Sequence, residues 1–471
     1  MNKKLLVALL AACLLLLCGC ATDMTGMPYS EIEAFIAENP HKKVTYSVTI
    51  ESDAPALVIT NQQTDAFCIL SQTDSLVAQA EYLQHLTTLS FVTDIMDAHS
   101  FHRLREAFPN AELIFHYATV LGNVYPADIQ VLELPALSDE QFEQLAAEAE
   151  ILPNLSQISI ANSDNHPYTV ENAQVLANGL PDIPVSMTFD LFGQSVSTDM
   201  ERIEYFKADI GGDAGLDVIR SIMPIMDKLT YLKLDWCGTT DEATAALREE
   251  LAEQCKVVWR VFFGSNNALT DTLKIWGTGT NDEKNESLKY CTEVKYLDLG
   301  HNRINSCEWA RYMPDLEVVV IGDCPLYSIE PLRSCPKITY LEIFTTNVTD
   351  LSPLADLKNL QYLNISNIEI DDISPLYELD NMVKINSTMN HLPQEQIDKY
   401  HELQPQCKAN FFTYGNPTGF GWRFENGDIA PRYDLLRQQF GYLRQDKSCY
   451  PKGYLTEEIT YESTGITPPE T

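Results

Sequence analysis

The sequence predicts an α/β solenoid, in which short parallel strands stack into a concave sheet and helical or irregular segments form the convex side. Two periodicities support this prediction. Apolar columns recur every 22 residues between positions 294 and 393, and strand-like segments that end in glycine recur every 71 residues upstream. Units of this size cannot bury an apolar face alone, so neighbouring units must stack into one continuous core.

The chain begins with a candidate secretion signal, in which two lysines precede an apolar run from Leu5 to Leu17. This run is too short and wrongly flanked for a membrane-spanning helix. The tetrad that ends at Cys20 resembles the bacterial lipobox. The resemblance implies lipid attachment at Cys20 and a position on the extracytoplasmic face of the cell membrane, since two acyl chains suffice for stable anchoring. An ordinary signal peptide with incidental cysteines is the alternative.

Four segments follow from these patterns. Residues 1–19 are predicted to be the lipoprotein signal peptide, 20–43 the anchor, linker and N-terminal cap, 44–415 the solenoid, and 416–471 a C-terminal cap and tail. Within 416–471, the stretch 421–445 mixes aromatic residues with a helical pattern. It is expected to cover the last strand, as terminal caps of repeat arrays do.

The longer period is marked by "AELIFHYATVLG", "DIPVSMTFDLFG" and "CKVVWRVFFG", which end at Gly122, Gly193 and Gly264. A related segment ends at Gly415. Seventy-one residues correspond to about three turns of ~24 residues, and about seventeen strands are expected in all. Each glycine is expected to adopt a positive φ at a tight exit from its strand. Trp259 then belongs to a repeating strand, with Phe115 and Met187 as its counterparts, and is not a separate ligand site.

The 22-residue block carries the most regular pattern. Its five strands are predicted to begin at Val294, Leu316, Ile338, Leu360 and Met382. The return segments share a proline column of Pro331, Pro353 and Pro375. The inner turns share a column of Asn302, Cys324, Thr346, Ile368 and Asn390, whose asparagines are expected to bond the neighbouring backbone. Ile368 departs from this column and predicts a local weakness or shift.

This block resembles the leucine-rich repeat family, and its 22-residue form is similar to that of bacterial internalins. The resemblance implies a rigid solenoid that binds a ligand outside the cell. The internalin comparison also implies adhesion, but no wall-sorting ending or appended immunoglobulin-like module is evident in the sequence. Host-cell invasion is therefore not expected, and only the fold and the binding mode carry over.

Composition excludes some partners. The formal net charge is −35, and removal of Lys3 and Lys4 with the signal makes it −37, so the protein repels phosphates and nucleic acid is not expected to bind. Nine cysteines remain after Cys13, Cys18 and Cys20 are set aside. The repeat pattern buries several of them as structural thiols, and a disulfide between Cys407 and Cys449 is an open hypothesis.

No convincing catalytic constellation is present, and the protein is not expected to be an enzyme. His301 lies beside Asp298 and could form a base with its orienting carboxylate, but no nucleophile stands in a defined turn nearby. A polar histidine on the ridge of the solenoid is the better interpretation. The acidic runs lack the alternating ligands of a calcium loop, so neither a metal nor another cofactor is predicted.

What remains is the predicted concave face, where side chains that alternate with the apolar positions point outward. They form a tyrosine column beside a column of acidic and amide side chains. Both columns are expected to be exposed to solvent. The candidate ligand-binding residues are Tyr231, Lys233, Trp276, Tyr296, Asp298, Tyr340, Glu342, Tyr362 and Asn364. Rigid aromatics beside hydrogen-bonding groups suit a protein, peptide or glycan ligand. The alternative function is a structural or regulatory envelope protein that holds a membrane partner.

Overall fold

The structure is a computed structural model. It describes residues 22–23, 31, 34–35, 38–39, 44–45, 55–59, 73–74, 76–163, 167–426 and 428–441. The candidate signal peptide, Cys20 and Cys449 lie outside the described residues. The chain divides into two compact units, Met1–Ile203 with Ala214–Thr230 and Glu204–Asp213 with Tyr231–Thr471. No described helix is long and apolar enough to span a membrane.

The first unit alternates strands with short helices. Its strands are β1 (Thr22–Asp23), β2 (Val44–Thr45), β3 (Ala56–Ile59), β4 (Thr88–Met96), β5 (Glu112–Val120), β6 (Asn123–Pro126), β7 (Val131–Leu134), β8 (Gln157–Ile160), β9 (Val185–Ser186), β10 (Thr188–Leu191) and β11 (Gln194–Ser197). Its α-helices are α1 (Ala98–Ala107), α2 (Asp139–Glu148), α3 (Val170–Gly179) and α4 (Asp213–Ile222, the first residue of which falls in the second unit), and its 3-10 helices are Ala80–Tyr82, Ala149–Ile151 and Met223–Ile225. Strands β3, β4 and β5 pair in parallel, as do β7, β8 and β9.

Local sequence explains where these helices begin. Asp97 accepts the backbone N–H of Ser100 at 2.8 Å at the start of α1, and Thr169 forms a reciprocal capping box with Asn172 at the start of α3. Such caps bond N–H groups that the first turn of a helix leaves without partners. Apolar side chains then point from each helix onto the strands, which places the core between the two layers.

The second unit contains the 22-residue block. Its strands are β12 (Arg202–Phe206, the first two residues of which fall in the first unit), β13 (Tyr231–Asp235), β14 (Lys256–Phe263), β15 (Asn266–Leu269), β16 (Lys274–Trp276), β17 (Tyr296–Asp298), β18 (Val318–Val320), β19 (Tyr340–Glu342), β20 (Tyr362–Asn364), β21 (Lys384–Asn386), β22 (Lys408–Asn410), β23 (Phe424–Glu425) and β24 (Asp428–Ile429). Its α-helices are α5 (Asp241–Glu250), α6 (Gln394–Leu403) and α7 (Pro431–Phe440). Its 3-10 helices are Glu283–Tyr290, Glu308–Tyr312, Glu330–Ser334, Ser352–Asp356 and Ser374–Leu376.

The predicted α/β solenoid class is confirmed by the strand register. Strands β16 to β22 form a seven-stranded parallel sheet, and Tyr296, Val318, Tyr340, Tyr362 and Lys384 lie opposite one another across it. The apolar positions between them point into the core, and Leu297, Val319, Leu341, Leu363 and Ile385 are all fully buried. The prolines of this column lie at the start of the 3-10 helices in the return segments. An N–H at this position would have no partner within the helix, so proline costs no hydrogen bond there.

The asparagine column works as predicted where asparagine is present. Asn302 donates to the carbonyls of Gly277, Leu299 and Gly300 at 2.8 to 3.1 Å, and Asn390 donates to Ile365 at 2.7 Å. The register shift that Ile368 was expected to mark does not occur: β20 and β21 pair in the same register as the other strands of the sheet. The N–H of Ile368 donates to Asn390 Oδ1 of the next turn at 2.9 Å, as the N–H of Thr280 donates to Asn302 Oδ1 at 3.0 Å, so this turn keeps the bond that the following asparagine provides.

The recurring glycines close β-hairpins, which the sequence interpretation missed. Gly122, Gly193 and Gly264 have φ of +72°, +78° and +70°, so the predicted conformation is confirmed. The chain turns back at each of them into an antiparallel partner strand, pairing β5 with β6, β10 with β11 and β14 with β15. Two successive residues of positive φ at the first two turns match the twist that two-residue hairpins require. Trp259, Phe115 and Met187 are buried, as predicted for the repeating strand.

All described cysteines are buried thiols, namely Cys237, Cys255, Cys291, Cys307, Cys324, Cys335 and Cys407. Burial raises the pKa of Cys291, Cys307 and Cys335 to about 12, and only the thiolate reacts quickly with alkylating agents. We therefore expect these three to resist iodoacetamide in the native protein at about pH 8 and to react fully in urea. Peptide mass mapping measures this, and rapid native labelling of Cys307 would contradict it.

Candidate functional site

The predicted ligand-binding residues lie on the strand face as expected, but their surroundings differ along the second unit. Tyr231 and Lys233 project from β13 and are half-buried. The hydroxyl of Tyr231 donates to Asp271 Oδ2 at 3.0 Å, and Lys233 forms an ion pair with Glu204. Both side chains are thus already engaged within the protein.

The expected exposure of the central residues is wrong. Tyr340 and Glu342 are each 1% exposed, Tyr362 is 8% exposed and Asn364 is fully buried. They face away from the repeat core, as the strand alternation predicted, yet no solvent reaches them. Another part of the chain must therefore cover this side of the sheet.

That cover is the C-terminal segment 416–441. Trp422 and the apolar side of α7 form a second core with the outward side chains of β18 to β20. Its members are Val318, Val320, Tyr340, Tyr362, Trp422, Leu435, Leu436 and Phe440. The rings of Tyr340 and Trp422 lie 5.5 Å apart. The segment therefore packs on the strand face, where α7 contacts β16 and β17. At the other end of the sheet, Asn410 of β22 donates to the carbonyl of Phe420 at 3.0 Å.

Polar contacts hold the same segment in place. The side-chain amides of Asn364 and Asn386 both donate to the carbonyl of Pro417, at 2.9 and 2.7 Å. Arg432 places its guanidinium carbon 3.6 Å from the ring centre of Tyr340, a cation–π contact. The amide column that was predicted to bind a ligand is therefore used by the chain itself.

A pocket of about 480 Å³ remains beside α7, at the carboxyl ends of β16 to β19. It brings together the predicted residues Trp276, Asp298 and Glu342. Arg423, which the sequence interpretation did not single out, also lines it. Burial, together with the nearby charge of Glu342, raises the pKa of Asp298 to about 6, although the N–H of Gly300 donates to it at 2.9 Å.

His301 also lines this pocket but does not pair with Asp298. Its Nδ1 lies 2.7 Å from Asp323 Oδ2, and its side chain is 62% exposed. Tyr296 is partly buried against the second core, and its hydroxyl lies 3.5 Å from Glu317 Oε2. Among the described residues no group of three or more His, Cys, Asp or Glu side chains could hold a metal ion.

An exposed aromatic patch, defined here as Phe206, Trp236 and Phe262 with Lys207, lies at the ends of β12, β13 and β14. The three rings are 64%, 46% and 46% exposed. Trp236 and Phe262 meet edge to face with centroids 4.8 Å apart, and Lys207 Nζ lies 5.1 Å from the centre of Phe206. The sequence interpretation missed this patch because aromatic character alone does not separate exposed from buried positions.

A bidentate ion pair joins two of the strands that carry the patch. Arg260 on β14 forms two hydrogen bonds to Asp235, the last residue of β13, at 2.6 and 2.8 Å. Asp235 is 5% exposed, so this charge pair is largely shielded from solvent. Bidentate pairs of this kind orient both side chains.

Comparison with protein families identifies the repeat. Residues 336–378 match the family model described as Leucine Rich repeats (2 copies). The fold is a leucine-rich repeat solenoid. The match covers two of the 22-residue turns, and the strand register extends the same geometry over β16 to β22.

Solved structures of leucine-rich repeat proteins are similar to this chain. An internalin of Listeria monocytogenes is 16% identical, with 80% of this chain and 86% of that chain covered and a TM-score of 0.26. A leucine-rich repeat protein of Leptospira interrogans is 14% identical, with 70% and 91% covered and a TM-score of 0.29. Such low TM-scores add nothing to the fold assignment. No curated protein matches the chain.

Proposed function

We propose that this leucine-rich repeat protein is a lipid-anchored protein of the cell surface that binds a protein, peptide or glycan without catalysing a reaction. Cys20 is the proposed lipid attachment site. The exposed aromatic patch is the proposed ligand contact, in place of the buried residues Tyr340, Glu342, Tyr362 and Asn364.

The observation that carries the proposal is the clustering of three exposed aromatic rings beside one lysine. Single exposed apolar residues are ordinary on protein surfaces, whereas contiguous exposed aromatics are typical of interaction sites. Trp and Tyr dominate binding energy at interfaces because they bury a large area while losing little side-chain entropy. The ion pair of Arg260 and Asp235 keeps the supporting strands in place before a ligand arrives.

The proposed contact surface extends along neighbouring strands. Tyr231 and Lys233 lie on β13, the strand that Trp236 directly follows. Each would keep its partner in the protein, Asp271 for the hydroxyl and Glu204 for the ammonium, and offer its remaining hydrogen-bonding capacity to a ligand at the polar rim. The patch would then supply most of the binding energy, and the rim would supply the specificity.

A patch variant provides the test. We would screen the full-length protein against protein and glycan arrays and then compare Trp236→Ala plus Phe262→Ala with Tyr312→Ala plus Tyr327→Ala. The control residues are also aromatic and are 52% and 64% exposed, but they lie on return segments. The patch variant is expected to lose at least about tenfold in affinity, and the control variant to bind as the wild type does.

Two outcomes would contradict the proposal. One is unchanged affinity in a patch variant whose circular dichroism matches the wild type. The other is the absence of any array ligand combined with in-cell crosslinking to a partner of the same envelope. The second outcome would favour a structural or regulatory envelope protein.

A further inference from the structure

The pocket beside α7 contains a buried carboxylate whose hydrogen bonding is incomplete. Glu342 is 1% exposed, and its Oε1 accepts the hydroxyl of Tyr340. Its Oε2 has no hydrogen-bond partner, and the nearest cation, Arg423 Nη2, lies 3.6 Å away. Buried polar atoms in native proteins are nearly always bonded, so an unbonded oxygen that lines a cavity marks a position for a donor.

A second carboxylate faces the same pocket. Asp298 lies two strands from Glu342 in register, which places their Cα atoms roughly 10 Å apart at about 4.8 Å per strand. Only Asp298 Oδ1 is engaged by the N–H of Gly300. With Arg423 as the one arginine or lysine of the lining, two carboxylates face a single fixed positive charge. When both carboxylates are ionised, these three side chains together carry a net charge of −1.

Most of the remaining lining is aromatic or apolar, and Thr278 and His301 are its other polar side chains. Trp276, which is 50% exposed, lines the pocket together with Phe344, Tyr433 and Leu436. The Phe344 ring packs over Gly322, where an added Cβ would lie 2.4 Å from a ring carbon. A volume of about 480 Å³ lies within the range of about 300–1,000 Å³ that is typical of small-molecule sites.

We propose that this pocket binds a small organic cation, a primary amine with an apolar body. Its ammonium would donate to Glu342 Oε2 and Asp298, and its apolar part would lie against Trp276. Aromatic faces attract cations, and carboxylates in a partly dry pocket bind them more strongly than in water. A metal ion fits poorly, because only two carboxylates face the pocket and no group of three or more metal-ligating side chains occurs among the described residues. The site is separate from the exposed aromatic patch, so either one can fail alone.

Isothermal titration of the full-length protein with phenethylamine tests this inference, with 2-phenylethanol as the neutral probe of nearly the same shape. We expect the amine to bind at least tenfold more tightly than the alcohol. Asp298→Asn and Glu342→Gln should each weaken amine binding at least tenfold. Asp315→Asn removes a surface carboxylate outside the pocket and should leave the affinity unchanged.

Loss of binding in Glu342→Gln must be distinguished from unfolding, because Glu342 is buried. Asp298→Asn removes a charge that burial disfavours and is expected to be at least as stable as the wild type, so this variant tests the inference without unfolding the protein. Equal affinity for the amine and the alcohol, unchanged amine affinity in folded Asp298→Asn, or no binding of phenethylamine at millimolar concentration would each overturn the inference. Loss of macromolecular binding by the patch variant would leave it untouched.

Discussion

Replacing Tyr340 with alanine is expected to lower the free energy of unfolding of the second unit by roughly 3–5 kcal/mol. The ring is 1% exposed and lies between Tyr362, Trp422 and Arg432. Its removal leaves a cavity that these neighbours cannot close. It also takes away the hydroxyl that donates to Glu342. Urea denaturation followed by circular dichroism measures the loss.

The matched control is Tyr327→Ala, which removes a tyrosine that is 64% exposed. It should change the free energy of unfolding by no more than about 0.5 kcal/mol. A double-mutant cycle of Tyr340→Ala with Trp422→Ala should show a coupling of about 0.5–3 kcal/mol, because the two rings are in contact. Additive losses, or a Tyr340→Ala variant as stable as the control, would mean that segment 416–441 does not pack on this face.

Replacing Asp298 with asparagine is expected to stabilise the protein by about 1–3 kcal/mol at neutral pH. Burial raises the pKa of Asp298 from 3.8 to about 6, so above about pH 6 the folded state holds a carboxylate that would be more stable in the unfolded chain. An asparagine oxygen can still accept the N–H of Gly300 without carrying that charge. Residues that cost stability in this way are characteristic of functional sites.

The pH dependence separates this effect from a packing change. The carboxyl is protonated in both states below its unfolded pKa of 3.8. The advantage of Asp298→Asn should therefore be complete above about pH 6 and fall toward zero near pH 4. Urea denaturation at both ends of this range, with Asp315→Asn as the exposed control, measures the difference. A stability gain that is equal at both pH values would contradict the assignment.

The repeat geometry was predictable from the sequence because it depends on short-range contacts. The 22-residue spacing puts Leu297, Val319 and Leu341 in one buried column, and strand alternation then determines that Tyr340 and Glu342 face the opposite side. The hydrogen bonds of the asparagine column, such as those of Asn302, follow from the same spacing. The hairpins at Gly122, Gly193 and Gly264 were missed, because a glycine of positive φ is compatible both with a strand that ends in a loop and with a β-hairpin turn.

The sequence by itself determined the class of fold, the register of its strands and the side of the sheet on which each candidate residue lies. Only the tertiary structure decided which of these residues solvent can reach. Tyr340 and Tyr362 are covered by Trp422 and α7, which follow them by dozens of residues, and no local period encodes where such a segment docks. Burial of its apolar side chains drives that docking. It converts a predicted open surface into a second core and leaves Asp298 and Glu342 in a pocket at its edge.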